Sequence, residues 1–168
     1  VINETILYGY WRSSATYRTR IALNLKGIAY KTVGVHLLKH ENVSPEHLAR
    51  HPSGRVPILE IDGQRIGQSM AMVEYLDETR PEPPLLPRDA YLRAHVRDLK
   101  DQIVADIHPL NNTSTLARLR SQFGADDAAI ATWYEHWIVR GFQVLEQMLP
   151  SAGDFCVGAH PTLADIVL

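Results

Sequence analysis

Val56-Pro57-Ile58-Leu59-Glu60-Ile61-Asp62-Gly63-Gln64-Arg65-Ile66-Gly67-Gln68-Ser69 is the stretch that decides the fold. Val56 to Ile61 is an apolar, β-branched run, Asp62-Gly63 is the strongest short-range hairpin signal, and Gln64 to Gly67 returns as a second strand. Gln68-Ser69 then opens a helix in which Ser69 is the expected cap and Met72, Val73 and Leu76 form the apolar stripe, up to Arg80-Pro81. Upstream, Thr5 to Tyr10 reads as a strand and Trp11-Arg12-Ser13-Ser14 as the turn that leaves it. Tyr17, Ile21 and Leu25 recur at i, i+4 and i+8 and predict a helix, with Gly27 in the place of a left-handed C-terminal cap. Val33, Val35 and Leu37 alternate with Thr32, Gly34 and His36, the period of a strand. A βαβ unit therefore precedes the hairpin.

Downstream the pattern changes. Four of the ten prolines fall between Pro81 and Pro87, in a stiff segment that continues neither a helix nor a central strand. The expected division is residues 1–82, a linker over 83–89, and residues 90–168. In the last of these, Leu92, Val96, Leu99, Ile103, Ile107 and Leu110 repeat at three- and four-residue steps, as do Ile130, Tyr134, Trp137, Gly141 and Leu145, so this half reads as all-helical. Pro109 is expected to bend the first of these helices near His108. Trp133, Trp137 and Phe142 are expected in the core. Thr162-Leu163-Ala164-Asp165 has the form of a capping box, with Asp in the usual Glu place, opening a helix that is expected to be incomplete at Leu168.

Composition narrows the function. About 45% of the 168 residues are apolar, enough for a substantial core. The balance of 17 Lys and Arg against 19 acids offers no broad basic surface for nucleic acid or anionic membrane, so an anionic ligand must be held locally. No apolar run approaches the roughly 20 residues that span a bilayer, and Val-Ile-Asn-Glu-Thr lacks the form of a secretory signal; the expected compartment is the cytoplasm. Cys156 is the only cysteine and is read as a small buried residue. The histidines do not cluster at metal-ligand spacing, and no metal site is indicated.

Arg12-Ser-Ser-Ala-Thr-Tyr-Arg-Thr-Arg-Ile-Ala-Leu resembles the zeta-class glutathione transferases, whose pattern is Ser-Ser-Cys-x-x-Arg-x-Arg-Ile-Ala-Leu. Val56-Pro57, Gln68-Ser69, Glu74 to Pro81 and Leu85-Leu86-Pro87 match in the same order, and Asp106-Ile-His-Pro-Leu-Asn-Asn112 looks especially like the glutathione-dependent maleylpyruvate isomerases, relatives of the maleylacetoacetate isomerases. The resemblance implies an α/β thioredoxin-like N-terminal domain followed by an all-α C-terminal domain, glutathione as cofactor, a small dicarboxylate substrate and a homodimer. Two departures stand out: Ala15 replaces the family cysteine, and His51 and Arg55 stand where Asn and Gln are usual.

On that resemblance each residue acquires a role. Free glutathione, a thiol near pKa 8.5, is only a few per cent ionised at neutral pH, so the site must favour thiolate. Ser14, with Ser13 beside it, lies where a hydroxyl and a helix N-terminus both point at negative charge; a plain helix cap is the alternative. The resemblance implies a cis bond at Val56-Pro57 that leaves the Val56 backbone to pair with the tripeptide as an added strand would. Gln68 and Ser69 suit the γ-glutamyl carboxylate. Arg12 is the planar, permanently charged fork for a substrate carboxylate, while Arg18 and Arg20 read as structural. His108, Asn111 and Asn112, three and four positions apart, are expected on one helix face lining the far wall, with interhelical hydrogen bonding as the alternative. The leading expectation is glutathione-dependent cis-trans isomerisation of a maleyl dicarboxylate. Conjugation or dehalogenation of small electrophiles and a non-catalytic binding module are the alternatives.

Overall fold

In the computed structural model, which describes residues 4–150 and 153–168, a four-stranded sheet organises the first of two units, Val1–Leu85. The elements run β1 (Ile6–Gly9), α1 (Ser14–Leu25), β2 (Lys31–Gly34), α2 (Pro45–Arg50), β3 (Ile58–Ile61), β4 (Gln64–Gly67) and α3 (Ser69–Thr79). The sheet order is β2-β1-β3-β4, with β2 parallel to β1 and the other two pairs antiparallel. Asp62 and Gly63 both adopt positive φ (53° and 75°), the type I′ geometry whose twist matches the flanking strands. Asp62 also accepts two hydrogen bonds of 2.7 Å from Arg80 and one of 2.8 Å from Tyr75, which tie the hairpin to the end of α3.

Strand alternation divides the core of this unit. Tyr8, Val35 and Ile58 pack with Ile6, Val33 and Val56 on one face. Leu7, Gly9 and Leu59 point the other way, where a Cβ on Gly9 would come within 2.3 Å of Thr16 Cγ2, so only glycine lets α1 sit this close. The buried face of α1 is Thr16, Thr19, Ala22 and Leu23, not the Tyr17, Ile21, Leu25 stripe read from the sequence. Close packing on the sheet and on α3 selects the small residues, and Tyr17 is turned out to 60% exposure. The end of α1 follows expectation: Gly27 (φ 65°) donates to the Asn24 carbonyl and Ile28 to that of Leu23, both at 3.0 Å, which is the Schellman pairing. The Lys26 ammonium, fully buried, bridges the Asp77 carboxylate at 2.7 Å and the Pro83 carbonyl at 2.6 Å.

The second unit, Leu86–Leu168, is helical: α4 (Ala90–Asp101), a π-helical segment Gln102–Ile107, α5 (Thr113–Phe123), α6 (Asp127–Met148) and α7 (Leu163–Val167). Its core is Val96, Leu99, Ile103, Ile107, Ile130, Leu145 and Leu163. The helix expected to bend at Pro109 instead widens to i→i−5 pairing, with His108 donating to Ile103 at 2.8 Å, and stops before a proline that has no N–H to continue it. Trp133 and Trp137 are only part-buried and Phe142 is exposed, which corrects their expected core placement. The inward stripe of α6 is Ile130, Leu145 and, between them, Gly141, where a Cβ would strike Ile107 Cδ1 at 2.3 Å. The capping box forms: Asp165 accepts from the Thr162 backbone and hydroxyl at 2.7 Å each and, through its other oxygen, from Cys156 N–H at 2.8 Å. Among the described residues no helix is long and apolar enough to cross a membrane.

Candidate active site

Three segments converge at one end of the sheet because of its register. The β1–β3 ladder ends at Tyr8 opposite Ile58, and the β3–β4 ladder at Ile58 opposite Gly67. The residues just beyond are therefore Tyr10 to Ser14 after β1, Val56-Pro57 before β3, and Gln68-Ser69 after β4. Each leaves the sheet there for a local reason. Tyr10 accepts from Ser13 N–H at 2.9 Å to close the turn, and Ser13, not Ser14, is the cap of α1, its hydroxyl oxygen accepting from Thr16 N–H at 3.1 Å. Ser14 is thereby the first helical residue, exposed at the amide-rich, partially positive end of α1.

The Val56-Pro57 peptide is cis, as is Glu82-Pro83. Val56 lies outside both ladders, so its backbone is not consumed by the sheet. Gln68 is the N-cap of α3 at φ 63°, ψ 114°, a conformation a non-glycine residue holds at a cost of about 1–3 kcal/mol and that clusters at functional sites. Its side chain makes no cap hydrogen bond and is exposed; Ser69, expected to cap, is instead the buried first residue of the helix. Arg12 is exposed, its guanidinium 5.6 Å from the centroid of the Trp11 ring.

Two histidines of α2 and its C-terminal end brace this cradle, and sequence reasoning assigned neither to it. His47 is 1% exposed, and its Nε2 donates to the Arg55 carbonyl at 3.0 Å, one residue before Val56; a carbonyl only accepts, so Nε2 carries the proton and Nδ1 is left buried without a partner among the described residues. The His51 ring lies against Gly67, where an added Cβ would come within 2.5 Å of its Nε2, one residue before Gln68. Its departure from the family pattern was the available signal for His51; His47 offered none.

His108, Asn111 and Asn112 stand in the second unit and are not on a helix face. They form the turn between the π-helical segment and α5, where Asn112 is the cap of α5, its Oδ1 accepting from Ser114 N–H at 3.4 Å. Both side-chain polar atoms of Asn111 are buried with no hydrogen-bond partner among the described residues, a state that costs about 1–3 kcal/mol until a ligand or ordered water completes it. Arg18 is buried, and desolvation lowers its pKa; Arg20 is exposed. Among the described residues no group of three or more His, Cys, Asp or Glu could hold a metal ion.

Compared with known proteins, residues 3–78 match the family described as glutathione S-transferase, N-terminal domain. Over 168 residues the chain is 49% identical to a maleylacetoacetate isomerase of Rhizobium meliloti (strain 1021), the match covering 99% of this chain and 79% of that protein. It resembles the holo structure of a maleylpyruvate isomerase, described as a bacterial glutathione S-transferase in zeta class, at 45% identity and a TM-score of 0.93, over 96% of this chain and 78% of the other. A maleylacetoacetate isomerase of Methylobacterium extorquens AM1, solved with bound malonate and glutathione, is similar at 37% identity and a TM-score of 0.91, over 96% and 78% of the two chains.

Proposed function

Because the chain belongs to the glutathione S-transferase family, and within it to the zeta-class maleylacetoacetate and maleylpyruvate isomerases, we propose that it catalyses glutathione-dependent isomerisation of a maleyl dicarboxylate to its fumaryl isomer. The observation that carries this reading is the convergence, at one end of the sheet, of the first turn of α1, the Val56 backbone outside both ladders and the strained Gln68. Those groups fit a tripeptide with two carboxylates and a thiol.

When bound, glutathione supplies a sulfur nucleophile that adds reversibly to the maleyl double bond, leaving a single bond free to rotate. The chain's residues make that addition possible. The Ser14 hydroxyl donates to the sulfur, and the first-turn amides of α1, equivalent to about half a positive charge, favour the thiolate. Val56 pairs with the cysteinyl backbone as an edge strand would. The Gln68 amide, Ser69 and the N-terminus of α3 take the γ-glutamyl carboxylate, with Ser13 holding the α1 turn in place. The Arg12 fork takes a substrate carboxylate and the negative charge that builds up beside it. The assignment of His108, Asn111 and Asn112 to the cofactor rests on the resemblance.

Assembly as a homodimer and a cytoplasmic location belong to the same reading; light scattering on purified protein tests the first, and fractionation of the source cell the second. The decisive assay incubates the chain with glutathione and maleylpyruvate or maleylacetoacetate. The fumaryl product should accumulate with no loss of thiol. Stoichiometric thiol loss would make the protein a conjugating transferase, and an absence of both turnover and glutathione binding would overturn the reading.

A further inference from the structure

A cavity of about 390 Å3 opens between α1 and β2, and none of Ser14, Val56, Pro57, Gln68 or Ser69 lines it. Thr32 and Gly34 of β2, with Val35 just beyond it, line the cavity on the strand side. A Cβ built on Gly34 meets no atom within 4 Å. A side chain added there would project into open space beside the cavity.

Its walls are aromatic. Tyr10, Trp11 and Tyr17 line it, and the His36 ring stands 5.4 Å from that of Tyr10. His36 Nδ1 is buried and has no hydrogen-bond partner among the described residues. Two opposite charges complete the lining. Arg20, with its guanidinium 5.9 Å from the Tyr17 ring centroid, has no acidic partner among the described residues. Glu41 accepts from the His36 N–H at 2.6 Å through one oxygen.

The volume is that of a small-ligand pocket, about 300–1,000 Å3, and the rings favour a planar aromatic group packed offset or edge-on. Charge selects further. A simple aromatic acid would gain Arg20 but meet the Glu41 carboxylate, and a simple amine would gain Glu41 but meet Arg20. A molecule with both charges satisfies both residues. We propose that this cavity binds a free aromatic amino acid, its ring between Tyr10 and Tyr17, its carboxylate on Arg20 and its ammonium on Glu41. The site is separate from the isomerase reading and does not depend on it.

Calorimetric titration of the full chain with L-phenylalanine, with and without saturating glutathione, tests the assignment. One saturable site with a dissociation constant below about 1 mM is expected, unchanged by glutathione. 3-Phenylpropanoate and 2-phenylethylamine, each lacking one charge, should bind at least about tenfold more weakly. Arg20→Gln and Glu41→Gln, both at exposed positions, should each weaken L-phenylalanine by about tenfold, and Gly34→Leu, which adds a side chain on the strand side, should abolish binding. Thermal melts identify any variant that fails to fold, and the two exposed substitutions carry the test if Gly34→Leu does. Absence of saturable binding, displacement of L-phenylalanine by glutathione, or an affinity in Arg20→Gln and Glu41→Gln unchanged from that of the unsubstituted protein would overturn the proposal.

Discussion

On the role proposed for Ser14, Ser14→Ala should remove one charge-assisted hydrogen bond to the cofactor sulfur, worth about 1.5–3 kcal/mol, and at about 1.4 kcal/mol per decade turnover should fall roughly 10- to 100-fold with the melting curve unchanged. Unchanged turnover at neutral pH would show that another group holds the thiolate. Arg12 tests substrate against cofactor: Arg12→Lys keeps the charge and loses the fork, Arg12→Ala loses both, so isomerase efficiency should drop by on the order of tenfold and then a hundredfold while glutathione affinity holds. Loss of glutathione binding in both variants would move Arg12 into the cofactor site or the fold. His47 acts at one remove, through the Arg55 carbonyl, and His47→Ala should raise the glutathione KM by up to about tenfold with kcat at saturation nearly kept. His47→Gln, which retains a donor, should recover part of the loss; equal damage from both variants would mean that ring packing matters rather than the bond. None of this was legible from His47 in the sequence, because a buried ring donating to a carbonyl eight residues away leaves no periodic trace.

Among the elements, α7 shows a local motif read correctly and then extended by tertiary structure. The sequence reveals Thr162 and Asp165 as a cap, and the fold adds the Cys156 N–H to the same carboxylate. Burial and then the adjacent Asp165 push the Cys156 thiol up to about 12, so a thiol reagent at neutral pH should leave Cys156 unmodified until the protein unfolds. Burial pushes the Asp165 carboxyl up, but the Cys156 and Thr162 donors outweigh it and hold it below its ordinary value. Its stabilising effect is therefore complete above about pH 4 and fades as pH falls through the lowered native value. Asp165→Asn should cost about 1–2 kcal/mol at pH 7, the gap to the parent narrowing below pH 4 in thermal melts. A pH-independent gap would mean that packing, not charge, is lost. The hairpin and the C-terminal cap of α1 at Gly27 were legible for the same reason as this box, since short motifs carry their own geometry. The π-helical segment was not: a three- and four-residue apolar period is shared by α and widened helices, and only the pairing to Ile103 distinguishes them.

For the whole molecule, glutathione that binds only the folded state should stabilise it by mass action, by about 2.7 kcal/mol at a concentration 100 times its dissociation constant. A thermal shift that grows with the logarithm of glutathione concentration checks this, and a flat response would remove the cofactor from the account. The division into a sheet-bearing and a helical half follows from the change of period across the proline-rich segment, whereas the buried faces within each half do not. Tyr17 and Phe142 satisfy the apolar pattern as well as the residues buried in their place, and only the close approaches at Gly9 and Gly141 decide which side of each helix is inward. The sheet order has a consequence for behaviour at high concentration. Strands β2 and β4 are its two edges, each four residues long, and they carry Lys31 and the Glu60-paired Arg65. Short, cationic margins oppose docking of one sheet onto another, so the unpaired amides along β2 resist recruitment into fibrils, and neutralising Lys31 would open the nearest route to aggregation.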